Sequence, residues 1–325
     1  MKRLFFLLVL MLMPFGTAYA TFSIVAIDPA TGELGVAVAS RYFAVGAVVP
    51  WAEAGVGAVA TQANVNVGYG PRALELLKQG LTAQQVLDRL LAEDAFDGKG
   101  GRQIAIVDAK GNVAVLTGSE AQDWKGHKQG ATYSAQGNIL VGPHVVEAMG
   151  RAFENTRGEL AERLYAALKA GDDAGGDRRG RQSASILVVR KRGGRNTNND
   201  RYVFINVDDH PEPMQELRRL LNLQLMINHS GRVGALLREN KFPEALASAE
   251  RVAHYAPNNP DAHLSLGFIA YLAGEPEKAL RAFRRAKELN PDFQRAWDAM
   301  AARPAYRKIV EDKPFVERMQ KELRP

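Results

Sequence analysis

The residue best placed to do chemistry in this sequence is a threonine that becomes N-terminal if a leader is removed. Ala18-Tyr19-Ala20 has the small-x-small pattern of an export-signal cleavage site, and Thr21 follows it directly. Cleavage there would give Thr21 a free α-amine beside its hydroxyl, so that one residue carries nucleophile and base. The pKa of an α-amine is about 7.7–8.0, close to working pH. Because exported proteins can begin with any small residue, the surroundings of Thr21 decide between chemistry and mere processing.

Residues 1–20 have the three regions of a secretory signal peptide. Lys2 and Arg3 supply the positive charge, Leu4 to Met13 the apolar run, and Pro14 to Gly16 the break. The apolar run is about half of the roughly 20 residues that a membrane-spanning helix needs, which disfavours an uncleaved anchor. We therefore expect cleavage between Ala20 and Thr21. The mature chain should have no transmembrane segment and should be periplasmic or secreted.

The elements that must position Thr21 begin with a hairpin. Thr21 to Asp28 and Leu34 to Ser40 have the composition of strands, and Pro29 to Gly32 is typical of a turn. A turn centred near Ala30 pairs residues whose numbers sum to about 61, which places Ser40 opposite Thr21 and Arg41 at the same sheet edge. A hydroxyl and a guanidinium would then lie beside the new terminus. The two side chains could equally form a structural hydrogen-bonded set.

Further hairpins alternate with helical segments as far as residue 210. Strand-like runs cover residues 55–62, 102–108, 112–117, 183–190 and 201–207, and amphipathic helical patterns separate them. Segregated hairpins and helices predict packed layers of an α+β fold rather than an alternating parallel sheet. We expect a first domain over residues 21–210 and a linker helix over 211–226.

Residues 227–325 change to an all-helical pattern with an internal repeat. "NKFPEAL" from Asn240 recurs as "GEPEKAL" from Gly274, and the alanines, leucines and later prolines all recur with a step of 34 residues. This period and the Leu-Gly and Tyr positions near residue 270 resemble tetratricopeptide repeats. One unit would cover residues 227–260 and another 261–294, with the helix around Trp297 capping the array. Such repeats imply a protein partner, and they could instead mediate self-association into a homo-oligomer.

The first domain resembles a family known as domain of unknown function 1028. "TFSIVAIDPATGELGVAVASRYFAVGAVVPW", "GVGAVATQ", "YSAQGN" and "GGDRRGRQSA" fit that family in this order over about residues 21–207. The family is assigned to the N-terminal-nucleophile (Ntn) hydrolase-like superfamily, so the resemblance implies a four-layer αββα fold. It implies a reaction only weakly.

The opening hairpin also resembles that of proteasome β-subunits, which begin with threonine and carry Ala-Asp-Ser-Arg on the second strand. Ser40 and Arg41 match that run, but Ala39 replaces its aspartate, and no lysine lies between Arg41 and Lys78. Two of the three polar groups that assist a proteasome threonine are therefore missing. Either other polar groups orient the amine, or the pocket is not catalytic.

Two sets of polar residues are candidates for the missing groups. Amides near the predicted sheet edge are candidate oxyanion donors or substrate contacts: Gln62, Asn64, Asn66 and Asn138. A dense cluster before a strand could bind a substrate carboxylate: Asp177, Arg178, Arg181, Gln182 and Ser183. The structural alternative for the cluster is a turn closed by an Asp177–Arg181 ion pair.

Composition excludes several other classes of function. The sequence has no cysteine, so it has no thiol nucleophile and no disulfide, and its 6 histidines lack metal-ligand spacing. The formal charge is +6, but residues 21–210 carry 21 basic and 21 acidic side chains, and no dense basic patch with aromatic residues indicates nucleic acid. We expect no cofactor and no metal.

The sequence therefore leaves two functions open. The first is an exported Ntn-hydrolase-like protein in which Thr21 hydrolyses an amide bond of a small, carboxylate-bearing or peptide-like substrate. The second is a non-catalytic domain that binds a ligand or an envelope component. In both, the helical repeats contact a partner protein.

Overall fold

The computed structural model describes residues 21–323, so the predicted signal peptide lies outside the described residues. The first part of that range contains two β-sheets. Their strands are β1 (Thr21–Asp28), β2 (Glu33–Ser40), β3 (Pro50–Glu53), β4 (Gly57–Ala63), β5 (Arg102–Asp108), β6 (Val113–Thr117), β7 (Gly126–Gln129), β8 (Tyr133–Asn138), β9 (Ser183–Val189) and β10 (Arg201–Val207).

Helices cover the outer faces of the sheets and make up most of the chain after residue 212. The α-helices are α1 (Tyr69–Lys78), α2 (Ala83–Glu93), α3 (His144–Asn155), α4 (Leu160–Asp173), α5 (Pro213–Arg238), α6 (Phe242–Tyr255), α7 (Pro260–Leu272), α8 (Pro276–Leu289), α9 (Phe293–Ala301), α10 (Arg307–Glu311) and α11 (Lys313–Glu322). In residues 21–323, no helix is long and apolar enough to cross a membrane.

The two sheets stack face to face between two helical layers. The first sheet has the strand order β10-β9-β2-β1-β8-β7, and the second has the order β3-β4-β5-β6. Aliphatic side chains such as Val25, Val36 and Val107 fill the space between the sheets. The outer face of the first sheet packs on α3, α4 and the start of α5, and that of the second packs on α1 and α2. The predicted αββα layering of an α+β domain is therefore the observed fold.

The register of the opening hairpin is the one that the turn chemistry predicts. Thr21 pairs with Ser40, and Asp28 pairs with Glu33. Gly32 closes the turn with φ of 71°, a left-handed conformation that glycine adopts without strain, and its N–H donates to the Asp28 carbonyl at 2.8 Å. The hairpins β5–β6 and β9–β10 also lie where the sequence places them. The short strands β3 and β7, and strand β8, were not predicted.

The C-terminal part is entirely helical and has its own apolar core. Helix α5 runs unbroken through residue 226, so no helix end marks the predicted boundary there, and its two halves pack into different cores. Two further helices, α10 and α11, follow the Trp297 helix that is expected to cap the array. Trp297 is buried and stacks on Phe268, with ring centroids 4.4 Å apart.

A cluster of charged side chains joins the two parts at Glu159, the residue before α4. Its carboxylate accepts hydrogen bonds from His229 of α5 at 2.6 Å, from Tyr202 of β10 at 2.7 Å and from Arg251 of α6 at 3.2 Å. Burial raises the pKa of Glu159, but these hydrogen bonds and the adjacent positive charge outweigh burial and lower the pKa to about 2. Ionised Glu159 therefore stabilises the contact between the domain and the helices.

We expect Glu159→Gln to lower the free energy of unfolding by about 2 kcal/mol at pH 7, since it leaves buried donors without a charged acceptor. A depressed folded-state pKa stabilises the protein above the ordinary value of 4.5, and this contribution is lost as the pH falls toward 2. In urea titrations, the difference between wild type and variant should shrink over that range. Glu317→Gln, at an exposed position, is the control. A difference that does not change with pH would contradict the assignment.

Candidate functional site

Thr21 begins β1 inside the first sheet, with its side chain between the two sheets. Its cross-strand neighbours are Ser40 on β2 and Asn138 on β8. Side chains alternate along a strand, and Val25 and Ile27 lie in the inter-sheet core, so Thr21 points to the same side. Thr21 Oγ1 lies 3.1 Å from Ser40 Oγ, and both residues are buried. The predicted nucleophile and Ser40 are thus in contact within the fold.

Polar side chains replace the aliphatic core beside Thr21. Gln62 of β4 donates from Nε2 to the carbonyl oxygen of Thr21 at 3.2 Å and to Oε1 of Gln103 on β5 at 2.7 Å. Asn138 Nδ2 donates to the same Gln103 oxygen at 3.1 Å. We call this set the inter-sheet polar network; its members are Ser23, Gln62, Gln103, Ser134, Gln136 and Asn138, all 0–1% exposed. The network links both sheets to the backbone of Thr21.

Of two predicted amide donors in the network, Gln62 uses both of its amide hydrogens, whereas Asn138 uses only one. Both N–H groups of the Gln62 amide have acceptors, so this side chain fixes the position of Thr21 and has no hydrogen left for an oxyanion. Asn138 uses one of its two amide hydrogens, and the other has no acceptor in residues 21–323. Asn138 is therefore the amide beside Thr21 that can still donate.

The two asparagines that follow β4 lie in a loop, outside the network. Asn64 is exposed, and its Nδ2 donates to the carbonyl of Gly98 at 3.1 Å. Asn66 Oδ1 accepts from the N–H of Gly68 at 3.0 Å, next to the start of α1. Neither side chain is hydrogen-bonded to Thr21 in the described part of the chain. Their bonds shape the loop.

The loop before β9 crosses the sheet edge in line with Thr21. Asp177 accepts from the backbone N–H of Arg41 at 2.7 Å, and from the N–H and Nη2 of Arg179 at 2.8 and 3.0 Å. On the other side, the N–H of Arg178 donates to the Ile139 carbonyl at 3.1 Å. Arg41 and Ile139 follow Ser40 and Asn138, the two neighbours of Thr21. The loop therefore closes the edge of the sheet where β1 begins.

The remaining members of the predicted cluster are held by other partners. Arg181 donates from Nε to Asp172 Oδ1 at 2.7 Å and from Nη1 to Glu212 at 3.3 Å, so the Asp177–Arg181 pair offered as an alternative does not form. Gln182 donates to Asp209 at 3.2 Å. Ser183 donates to the Tyr42 carbonyl and accepts from the N–H of Val45 at 3.2 Å. Arg178 is exposed, and its guanidinium has no partner within residues 21–323.

A cavity of about 430 Å³ opens beside this edge, but on the other face of the first sheet. Its lining includes Phe22, Ala39, Ser40, Asp177, Arg181 and Met214. Phe22 and Ala39 point toward the helical layer, away from Thr21. Ser40 therefore contacts the Thr21 hydroxyl and also borders the cavity. In residues 21–323, no three carboxylate or imidazole side chains are grouped to hold a metal ion.

Comparison with known proteins identifies the first domain. The model of a family described as "Family of unknown function (DUF1028)" matches residues 21–217, which is more than half of the chain. The protein belongs to the DUF1028 family. A solved DUF1028 protein, SPO2555 from Silicibacter pomeroyi, is 34% identical, with a TM-score of 0.56; the match covers 62% of this chain and 84% of that chain. No curated protein matches.

A tetratricopeptide-repeat model matches residues 236–303, downstream of the DUF1028 region. The repeats predicted from the 34-residue period are therefore confirmed. Tetratricopeptide repeats indicate protein partners, so the chain combines a DUF1028 domain with a module for protein interaction.

The sequence does not point to two side chains that shape the candidate site. Gln103 joins Gln62 to Asn138, but its sequence context, "GKGGRQ", suggests only a loop and a strand start. The sequence favours Arg178 and Arg181 as site residues, but Arg179 is the arginine that pairs with Asp177. Its position two residues after Asp177 was the only available signal, and that spacing is uninformative until the loop conformation is known.

Proposed function

We propose that removal of residues 1–20 converts Thr21 into an N-terminal nucleophile that hydrolyses an amide bond. The observation that carries this proposal is the position of Thr21, with its hydroxyl 3.1 Å from Ser40 in the space between the sheets. It rests also on the expectation that the leader is an export signal, which would keep the enzyme silent before export. The fold would then belong to the Ntn-hydrolase-like superfamily.

The reaction follows from the groups present on a terminal threonine. The α-amine accepts the hydroxyl proton while Thr21 Oγ1 attacks the substrate carbonyl carbon. Collapse of the tetrahedral intermediate breaks the C–N bond, and the ammonium returns its proton to the leaving amine. Water then attacks the ester on Oγ1, with the amine again acting as base. The products are a carboxylic acid and an amine, and Thr21 is regenerated.

A neutral environment supports the amine in the role of base. Ala39 stands where proteasome β-subunits carry an aspartate, and the buried side chains that neighbour Thr21 in the two sheets are hydroxyls and amides. The buried carboxylate at the same sheet edge, Asp177, is neutralised by its ion pair with Arg179. Such a shell does not stabilise an ammonium ion, and burial favours the uncharged amine. Gln62 holds the Thr21 carbonyl and so restricts the direction of the amine. These neutral groups take the place of the missing aspartate and lysine.

Asn138 and Arg178 are the candidates for contact with substrate. The free amide hydrogen of Asn138 lies beside Thr21 in the sheet and is the candidate oxyanion donor. The exposed guanidinium of Arg178 has no partner in residues 21–323 and is more available to a substrate carboxylate than that of Arg181, which two carboxylates already hold. The favoured substrate is a small or peptide-like amide with a free carboxylate.

A second candidate function is ligand binding without catalysis. It is favoured by the cavity, because Phe22 and Ala39 place it on the opposite face of the sheet from the Thr21 side chain. A ligand in this cavity would contact Arg181 and Asp177 without reaching Thr21. The repeats would then bind a partner protein and bring it to the ligand-bound first domain.

A β-lactone probe distinguishes the two functions, since hydroxyl attack opens its ring and leaves an ester on the nucleophile. We expect a chain beginning at Thr21 to gain one probe mass. A chain with one extra methionine before Thr21 should not react, because the nitrogen of Thr21 is then part of a peptide bond and cannot act as a base. Intact mass and peptide mapping give the site. Equal labelling of both chains, or labelling away from Thr21, would overturn the proposed hydrolase and favour ligand binding.

A further inference from the structure

Arginines line a second cavity, at the end of the first sheet far from Thr21. It has a volume of about 710 Å³ and lies between the β9–β10 connection and α5; its charged lining residues are Arg190, Arg192, Arg195, Arg232 and Arg238. No acidic side chain is among the lining residues. Strand β9 separates the two sites, since Ser183 pairs with Ser40 at one end and Val189 pairs with Leu34 at the other.

Most of this positive charge is not neutralised. Arg190 pairs with Glu33 at 2.9 Å and lies over the ring of Tyr202, with its guanidinium carbon 4.0 Å from the centroid. By contrast, Arg195, Arg232 and Arg238 form no ion pair with any residue of 21–323. The acidic neighbour of Arg238, Glu239, pairs with Lys241 at 2.7 Å. Arg195, Arg232 and Arg238 therefore line one cavity without forming an ion pair within residues 21–323.

The cavity is open on the α5 side because two of its lining residues there, Gly231 and Ala235, are small. Asn228, Arg232 and Ala235 follow the i, i+4, i+7 spacing of a single helix face, and Arg238 continues it. Gly231 lies beside them, and a Cβ atom there would meet no heavy atom within 4 Å. The absence of bulk between Arg232 and Arg238 leaves room for a ligand.

The opposite wall is a loop held by its own backbone hydrogen bonds. The N–H of Gly194 donates to the Asn199 carbonyl at 2.8 Å, and the N–H of Thr197 donates to the Gly194 carbonyl at 2.9 Å. Asn196 and Thr197 have positive φ values of 57° and 59°, which turn the chain back on itself. Arg195 is thereby presented on the loop across from α5.

We propose that this cavity binds a small polyanion that carries at least two phosphate or carboxylate groups. Arginine forks bind both groups in bidentate fashion, and the volume lies within the range of about 300–1,000 Å³ found for small-molecule sites. Because Arg195 lies on the loop and Arg232 and Arg238 lie on α5, a ligand with several negative charges can contact more of these guanidinium groups than a ligand with one charge can. The site is independent of Thr21 and of the proposed hydrolysis.

Calorimetric titration of the protein with inorganic triphosphate and with tricarballylate, at fixed ionic strength, tests the site. We expect saturable 1:1 binding of at least one of them, and the tighter ligand identifies phosphate or carboxylate as the preferred group. Arg232→Gln and Arg238→Gln should each weaken binding about tenfold, as expected for loss of a charge-assisted hydrogen bond. Arg295→Gln, at an exposed arginine without an ion pair in residues 21–323, is the matched control and should bind as wild type does.

Gly231→Leu provides a test that leaves the charge unchanged. Its side chain would enter the open space beside Arg232, and we expect binding to fall at least tenfold while the helical circular dichroism signal is retained. Absence of saturable binding of both anions by the wild-type protein would overturn the proposal. Equal affinity in wild type, Arg232→Gln and Arg238→Gln would overturn it as well.

Discussion

Replacing Thr21 by alanine in the processed chain is expected to abolish acylation and to reduce amide hydrolysis by roughly 10³-fold or more. The reason is that the hydroxyl is the proposed nucleophile and no cysteine in the chain can replace it. The hydroxyl at Ser40 is 3.1 Å away but lacks an α-amine of its own to act as base. Burst kinetics with an activated amide, together with intact mass of the trapped acyl-enzyme, measure the effect.

Thr21→Ser is the matched control, because it keeps a hydroxyl and an α-amine on the same residue. It should still form an ester with the probe, at a reduced rate, since serine lacks the methyl group that restricts the threonine rotamer. Each variant needs a mature terminus confirmed by mass, so that failed processing is not mistaken for lost chemistry. Turnover in Thr21→Ala equal to that of wild type would show that the hydrolysis has another origin.

The sequence predicts local geometry well where short-range chemistry determines it. Proline and glycine in the first turn give the register that pairs Thr21 with Ser40, and the 34-residue period gives the helical repeats. Both signals come from residues close together in the chain. The layering of the sheets follows from the family resemblance and from hairpins alternating with helices.

Contacts between distant segments could not be predicted in the same way. Gln103 meets Gln62 and Asn138 only because the two sheets stack, and strand β8, which carries Asn138, was not predicted. Asp177 pairs with Arg179 and not with Arg181 because of the conformation of the loop, which cannot be predicted from the order of charged residues in the sequence. The arginine cavity is hidden for a similar reason, since Arg190 and Arg238 are 48 positions apart and belong to different elements.

The inter-sheet polar network also accounts for why such polar residues can be buried beside a candidate nucleophile. A buried amide costs free energy unless its hydrogen bonds are satisfied, and the amides of Gln62 and Gln103 are satisfied by one another and by backbone. The network therefore fixes the start of β1 relative to the second sheet. Under the proposed function, that rigidity holds Thr21 in the orientation that attack requires.

Gln103→Leu should consequently be among the most destabilising single substitutions in the DUF1028 domain. Gln103 is fully buried; its Oε1 accepts from Gln62 and Asn138, and its Nε2 donates to Thr117 Oγ1 and the Gly137 carbonyl, both at 2.9 Å. Leucine has a similar size but no polar atom, so these buried partners would lose hydrogen bonds. Each such loss costs about 1–3 kcal/mol, and partial relaxation brings the expected total to about 3–5 kcal/mol.

That loss is a large share of the roughly 5–15 kcal/mol that stabilises a typical domain, so unfolding in urea should begin at markedly lower concentration. Gln79→Leu is the control: Gln79 is exposed and has no side-chain hydrogen bond in the described chain, and its free energy of unfolding should change by less than about 0.5 kcal/mol. A Gln103→Leu protein as stable as wild type would mean that the network adds nothing to the fold. Since Gln62 and Asn138 would lose a common partner, a folded Gln103→Leu protein should also react more slowly with the β-lactone at Thr21.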